Sequence, residues 1–201
     1  MTAALTFWYE FASTYSYPAA ARIERLAAAA GVEVAWRPFL LGPIFARQGW
    51  TDSPFNLYPA KGRYMWRDLE RICAAEKLPL RRPSVFPRNG LLAARTALVA
   101  AEEGWVAPFT RAVYHANFAE DRDIASPEVI GAIVAALGHA APAVLERAVS
   151  PAIKERLKGE TEAAIARGIF GAPSITIGDE LFWGNDRLDQ AIAWAKAEKG
   201  P

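Results

Sequence analysis

Apolar and polar positions follow three different rhythms along this chain, and each rhythm predicts a different element. Leu5 to Phe11 (LTFWYEF) is a short apolar and aromatic run that ends in the small polar cluster Ala12-Ser13-Thr14, so it predicts a buried strand. From Tyr15 to Ala30 alanine dominates, with Ile23 and Leu26 on one face and Arg22, Glu24 and Arg25 among the others, until Gly31 supplies a stop. That is a helix. Val32 to Arg37 (VEVAWR) alternates apolar and polar residues before Pro38 blocks further pairing, which predicts a second strand. Strand, helix and strand in so short a stretch form a βαβ unit, with a right-handed crossover and parallel strands. At the other end, Ser174 to Ile177 (SITI) and Glu180 to Trp183 (ELFW) flank Gly178-Asp179, a pair suited to a type II′ hairpin turn. Gly184-Asn185-Asp186 then leads into a closing helix over Arg187 to Lys199, behind an Asn or Asp cap.

Between these ends, over residues 44–167, helical spacing replaces strand alternation. Met65, Leu69, Ile72 and Cys73 make one stripe; Leu91, Ala94, Leu98 and Ala101 a second; Trp105, Phe109, Ala112, Val113 and Ala116 a third. Ser126-Pro127-Glu128 and Ser150-Pro151 mark two further helix starts. The chain therefore reads as an α/β protein in which a βαβ unit and a ββα unit enclose a large all-helical insertion. That order is the thioredoxin plan, with a thioredoxin-like domain over 1–43 and 168–201 and a helical insertion domain over 44–167.

Composition narrows the function. The 201 residues are 52% hydrophobic and 22% charged, as in an ordinary globular protein. A net charge of +1 supplies no field to draw the chain onto nucleic acid or an anionic membrane, so a small-molecule partner is expected. Met1 to Glu10 lacks a basic start ahead of a long apolar run, and no stretch approaches the ~18 apolar residues of a membrane span. A cytoplasmic protein is expected. Cys73 is the single cysteine, which leaves no pair for redox cycling or zinc, and His115 and His139 are far apart, so no metal site is expected.

Ser13 falls where the first strand gives way to the first helix, the place where parallel α/β sheets collect ligands and where free N–H groups favour an anion. A thiolate would be stabilised there. Thioredoxin-like oxidoreductases carry Cys-x-x-Cys at this turn, whereas Ser13-Thr14-Tyr15-Ser16 has a hydroxyl at both ends and sulfur at neither, which excludes dithiol exchange. The plainer role for Ser13 is to cap the helix. Pro173 precedes the third strand, where proteins of this plan hold a cis proline whose preceding residue, here Ala172, is free to pair with an extended peptide.

Five blocks, in order and across essentially the whole chain, resemble the 2-hydroxychromene-2-carboxylate isomerases: Phe11 to Tyr17 (FASTYSY), Arg37 to Gly42 (RPFLLG), Lys61 to Asp68 (KGRYMWRD), Gly168 to Pro173 (GIFGAP) and Phe182 to Leu188 (FWGNDRL). That family is related to kappa-class glutathione transferases and, more distantly, to DsbA-like oxidoreductases. The resemblance implies glutathione as cofactor, with Ser13 on its sulfur, Asn56 reaching the tripeptide from the insertion, Ala172 beside Pro173 pairing with its cysteinyl backbone, and Asn185 and Asp186 at its γ-glutamyl end. Asp186 has the alternative role of capping the last helix. The resemblance also implies a homodimer and an isomerase in which the thiolate adds to an unsaturated ring carbon of an aromatic substrate, the ring opens, a bond rotates and glutathione leaves. A kappa-like transferase or peroxidase, and a non-catalytic binder of thiol peptides, stand as alternatives. Pro18 departs from the family's usual leucine beside Ser13. For a substrate carboxylate the candidates are Lys61 and, in the run Arg81 to Asn89, Arg82 and Arg88, with Phe86 for the ring; the other reading of that run is a solvated loop. Cys73 is expected in the core.

Overall fold

The computed structural model describes residues 3–198, so Lys199, the expected end of the closing helix, lies outside the described residues. Strands β1 (Ala3–Tyr9) and β2 (Val32–Pro38) pair in parallel around helix α1 (Ser16–Ala30), and β3 (Ser174–Ile177) and β4 (Glu180–Trp183) add antiparallel, giving the order β2-β1-β3-β4. Gly31 ends α1 with φ 65°, and Gly178 takes φ 53° in the hairpin while Asp179 keeps a negative φ, as the II′ turn requires. Pro38 belongs to β2 instead of ending it, opposite Tyr9. Its missing donor is harmless there, because the next N–H, that of Phe39, reaches the Tyr9 carbonyl at 3.1 Å.

The segment between the two halves is helical: α2 (Leu41–Arg47), α3 (Pro54–Leu57), α4 (Pro59–Ala75), α5 (Leu91–Glu102), α6 (Val106–Phe118), α7 (Pro127–Ala136), α8 (Ala141–Ala148) and α9 (Pro151–Ala166). Ser126 and Ser150 cap α7 and α9, accepting from the N–H groups of Val129 and Ile153. The start of the last helix differs from expectation. Asn185–Arg187 form a single 3-10 turn and α10 covers Leu188–Ala197, with no side-chain cap on either, so Asp186 is not a helix cap.

Alternation along β1 assigns its residues to two faces. Phe7 and Tyr9 pack with Ile23 and Ala27 of α1 and with Leu188 and Ile192 of α10, while Trp8 packs on the other face with Phe39, Ile44 of α2 and Ala164 of α9. Full burial of an aromatic or aliphatic side chain of this size is worth about 1.5–3 kcal/mol. From Tyr9 a chain of aromatic contacts runs through Phe11, Tyr114, Tyr17 and Phe118 and clamps the end of β1 against α6. That clamp fixes the turn carrying Ser13. Cys73 is buried on α4, and burial pushes its thiol up to about 11. Among the described residues no helix is long and apolar enough to cross a membrane.

Candidate active site

The ends of β1 and β4, the start of β3 and the helices α2 to α4 surround a cleft of about 1470 Å³. An ordinary small-ligand pocket occupies ~300–1,000 Å³, so this one has room for more than one molecule. Ser13, Ala172, Asn185 and Asp186, which are distant in sequence, all line it.

Ser13 sits half-buried on the turn after β1, where its N–H bonds to the Glu10 carbonyl at 3.0 Å. Its hydroxyl accepts from the Ser16 N–H at 3.3 Å, as a helix-capping serine does, and donates to the Ala172 carbonyl at 2.8 Å. A capping-type contact is therefore made from two residues before the N-cap position, Tyr15, and the hydroxyl hydrogen is engaged by the Ala172 carbonyl. The Ala172–Pro173 peptide bond is cis, and the Ala172 N–H has no partner among the described residues. Three further contacts hold this short segment: Gly184 N–H to the Pro173 carbonyl at 3.0 Å, Ser174 Oγ to the Gly171 carbonyl at 2.9 Å, and the Trp183 indole packed so close to Gly171 that a Cβ there would collide with it.

Gly184 turns the chain out of β4 with φ 114° and ψ 155°, a conformation open essentially to glycine alone. The turn delivers Asn185 and Asp186. Asn185 is only 6% exposed, and Arg22 of α1 donates to its Oδ1 at 3.0 Å and its carbonyl at 3.2 Å. With Oδ1 engaged, the Asn185 amide has only its N–H groups left to offer. Asp186 is exposed, with a loose contact to Arg187 at 3.6 Å.

The remaining expected residues fall in different places. Asn56 stands beside the cleft, its Nδ2 donating to Asp52 at 3.0 Å and to the Phe86 carbonyl at 3.2 Å, so it ties two loops together. Arg82 lies over the Trp66 ring at 4.8 Å and is not part of the cleft wall. Arg88 does line the cleft, but it is 7% exposed and its guanidinium turns inward to Asp121, Asn117 and Ser84. Arg88 is a strut, and the Arg81 to Asn89 run is neither a carboxylate clamp nor a freely solvated loop. Asp121 also accepts from the Ser84 N–H at 2.8 Å, and that bond first, then the Arg88 guanidinium, holds its carboxyl down at about 2. Lys61 alone of the three stays exposed on the cleft wall, 4.7 Å from the Tyr58 ring centre.

The structure adds residues the sequence reading missed. Phe45 and Trp50 on one side, and Phe170 and Trp183 on the other, supply aromatic walls. Tyr15 donates to Asp68 at 3.0 Å, and burial first, then Asp68, pushes the phenol well above its ordinary range. Glu10, 9% exposed on the cleft wall, accepts from the Ala12 N–H at 3.1 Å. A lone acid inside the apolar run LTFWYEF was its visible sign, since acids are almost never buried without reason.

Burial raises the Glu10 carboxyl from 4.5 to about 7, outweighing the Ala12 N–H that favours its ionised form. The unfolded chain thus ionises first. Stability is full below about pH 4.5 and falls as pH rises toward 7, by up to about 3 kcal/mol at 1.36 kcal/mol per unit. Glu10→Gln keeps an acceptor for Ala12 and removes the charge, so it is expected to match the wild type near pH 4 and to exceed it at pH 8. Urea melts at the two pH values measure this, and a variant weaker at both would mean the carboxylate stabilises the fold.

A family model of the DsbA-like thioredoxin domain matches residues 4–192. The chain is 31% identical over 190 residues to the 2-hydroxychromene-2-carboxylate isomerase of Sphingobium xenophagum, covering 94% of this chain and 96% of that protein. It is 28% identical over 197 residues to human glutathione S-transferase kappa 1, covering 90% and 86% of the two. A solved 2-hydroxychromene-2-carboxylate isomerase superposes with a TM-score of 0.87 at 26% identity, covering 98% of this chain and 96% of the other. The chain belongs to the DsbA-like thioredoxin-domain proteins and, among them, to the 2-hydroxychromene-2-carboxylate isomerase family.

Proposed function

We propose that this protein is a glutathione-dependent cis–trans isomerase acting on an aromatic 2-hydroxychromene-2-carboxylate-type substrate. The observation that carries the reading is the pairing of the Ser13 hydroxyl with the Ala172 carbonyl, at the junction of a helix start and an unpaired Ala172 N–H. A tripeptide thiol fits these groups. Ala172 presents one donor and one acceptor to an extended backbone. Ser13 has a single hydroxyl hydrogen, so turning it to sulfur releases the Ala172 carbonyl to accept from the peptide. The Asn185 N–H groups suit a carboxylate and the exposed Asp186 suits an ammonium, which together describe a γ-glutamyl end.

Bound there, glutathione supplies a thiolate that adds to an unsaturated carbon and leaves again, so that a double bond is for a time a rotatable single bond. The rest falls to the protein. Ser13 and the positive end of α1 hold the negative charge, the aromatic walls receive the ring, and Lys61 faces its carboxylate. In this reading the thioredoxin-like part, 1–43 and 168–201, holds the tripeptide, and the insertion, 44–167, shapes the substrate side. A single buried cysteine suits a reducing cytoplasm, and the family resemblance supports a homodimer.

Stoichiometry tests the reading: many turnovers of a chromene carboxylate per glutathione, with the thiol recovered unchanged, mark the isomerase. One glutathione lost per turnover would instead mark a kappa-like transferase. Asp186→Ala is expected to weaken glutathione by about 1.5–3 kcal/mol, as for a hydrogen bond to a charged group. The fold should survive, because Asp186 caps neither the 3-10 turn nor α10. Calorimetry of a folded variant with unaltered affinity would remove Asp186 from the site.

A further inference from the structure

We propose that Glu10 takes the thiol proton when glutathione binds and holds it, as a neutral carboxylic acid, for as long as the thiolate is present. The inference rests on the glutathione reading and supplies what Ser13 lacks, because a hydroxyl that donates to sulfur stabilises a thiolate without accepting its proton. The S–H bond breaks with its electron pair left on sulfur, an O–H bond forms on Glu10, and the negative charge passes from carboxylate to sulfur. No proton enters the solvent. Release of glutathione runs the same transfer backwards.

The cleft leaves few other acceptors. Neither histidine lines it. Of its acids, Asp52 and Asp186 are exposed, and Asp68 accepts the Tyr15 hydroxyl. Glu10 is buried and shares one closed turn with Ser13: its Oε2 accepts from Ala12 N–H at 3.1 Å while its carbonyl accepts from Ser13 N–H at 3.0 Å. Its Oε1 has no hydrogen-bond partner among the described residues and lies against Gly90 at the start of α5, where a Cβ would come within 2.9 Å of it. A methyl there would press on this oxygen and on the Phe11 Cβ, 3.0 Å away.

The charged and titratable groups around Glu10 are few. From α6, Tyr114 donates its hydroxyl to the Glu10 carbonyl at 2.8 Å; just before it, at the end of β1, Tyr9 pairs with Thr110; ahead of α5, Arg88 is engaged by Asp121. No cation pairs with Glu10 among the described residues. Burial raises the carboxyl to about 7, while the positive end of α5 and the Ala12 N–H keep ionisation within reach. That value lies between an ordinary carboxyl and a free thiol near ~8.5, so the proton crosses only when Ser13 also favours the thiolate. Neutralising Glu10 at that moment removes an anion that would otherwise oppose the sulfur.

Counting protons decides it. Near pH 8 free glutathione is mostly thiol and Glu10 mostly ionised, so wild-type binding is expected to release almost no proton while the ultraviolet thiolate band appears. Calorimetry in two buffers of different ionisation enthalpy gives the count. Glu10→Gln is expected either to release most of one proton or to lose the thiolate band. Glu10→Asp retains a titrating group and should stay close to the wild-type count. Gly90→Ala, whose methyl presses on Oε1, is the second variant should the first not fold, and is expected to raise the release. A Glu10→Gln protein that forms the thiolate with the wild-type count overturns the proposal and leaves Glu10 as an acceptor for Ala12. A wild type that binds no glutathione overturns the glutathione reading itself, and this inference with it.

Discussion

Ser13→Ala is expected to slow turnover at neutral pH by about tenfold or more, with the rate recovering as pH is raised. A free thiol ionises near ~8.5, and lowering that by about two units takes roughly 3 kcal/mol. One hydrogen bond to a charged acceptor supplies about 1.5–3 kcal/mol of it, and the positive end of the α1 dipole supplies the remainder. Removing the hydroxyl returns the bound thiol part of the way, so most of it is protonated at neutral pH and ionises again in mild alkali. The alanine also gives up the bond to the Ala172 carbonyl. That bond is only partly buried on the cleft wall and lies outside the aromatic clamp, so the fold should persist. A pH–rate profile of the variant parallel to the wild type, at the same height, would leave Ser13 as a helix cap only.

Arg88→Ala is expected to destabilise the protein by about 3 kcal/mol or more, an effect on the fold that a substrate-binding arginine would not have. The side chain donates to Asn117, Ser84 and Asp121 from a nearly closed site, and hydrogen bonds to a charged group are worth about 1.5–3 kcal/mol each without being additive. Its removal also loosens the loop through Phe86 and Pro87 that walls the cleft. Arg82→Ala serves as the contrast, since it loses only stacking on Trp66, worth about 0.5–1 kcal/mol at an exposed position. Denaturant melts of the two variants separate them. Equal stabilities, with a weaker KM for the carboxylate substrate in Arg88→Ala alone, would restore Arg88 to the binding site.

These two residues also mark where sequence reasoning reaches and where it stops. Ser13 was legible because its place follows from local grammar: an aromatic strand, a small polar turn and an alanine-rich helix ended by Gly31 fix the junction without any distant partner. Ala172 was named through the same plan and Asn185 and Asp186 through the family resemblance, and all three line the cleft with Ser13 because the hairpin around Gly178 brings the end of β4 back. Arg88 was not, because what decides its role is Asp121 and Asn117, some thirty positions away, and nothing in the run Arg81 to Asn89 announces them. The partners of Asn56 were hidden for a similar reason: its Nδ2 donates to Asp52 and to the backbone of Phe86, thirty positions away. The short helices α2, α3 and α8 escaped because seven, four and eight residues carry too little periodicity to separate from loops. Glu10 could have been found from the sequence, as a charge inside an otherwise apolar run at the end of β1, but its partners could not.

The claim on which the rest depends is that this cleft binds glutathione as a thiolate, and ultraviolet difference titration of the wild-type protein with glutathione across pH tests it most directly. The account predicts saturable binding and a thiolate band whose midpoint lies about two units below the ~8.5 of the free thiol. A bound thiol that ionises where free glutathione does, or no binding at all, would contradict it.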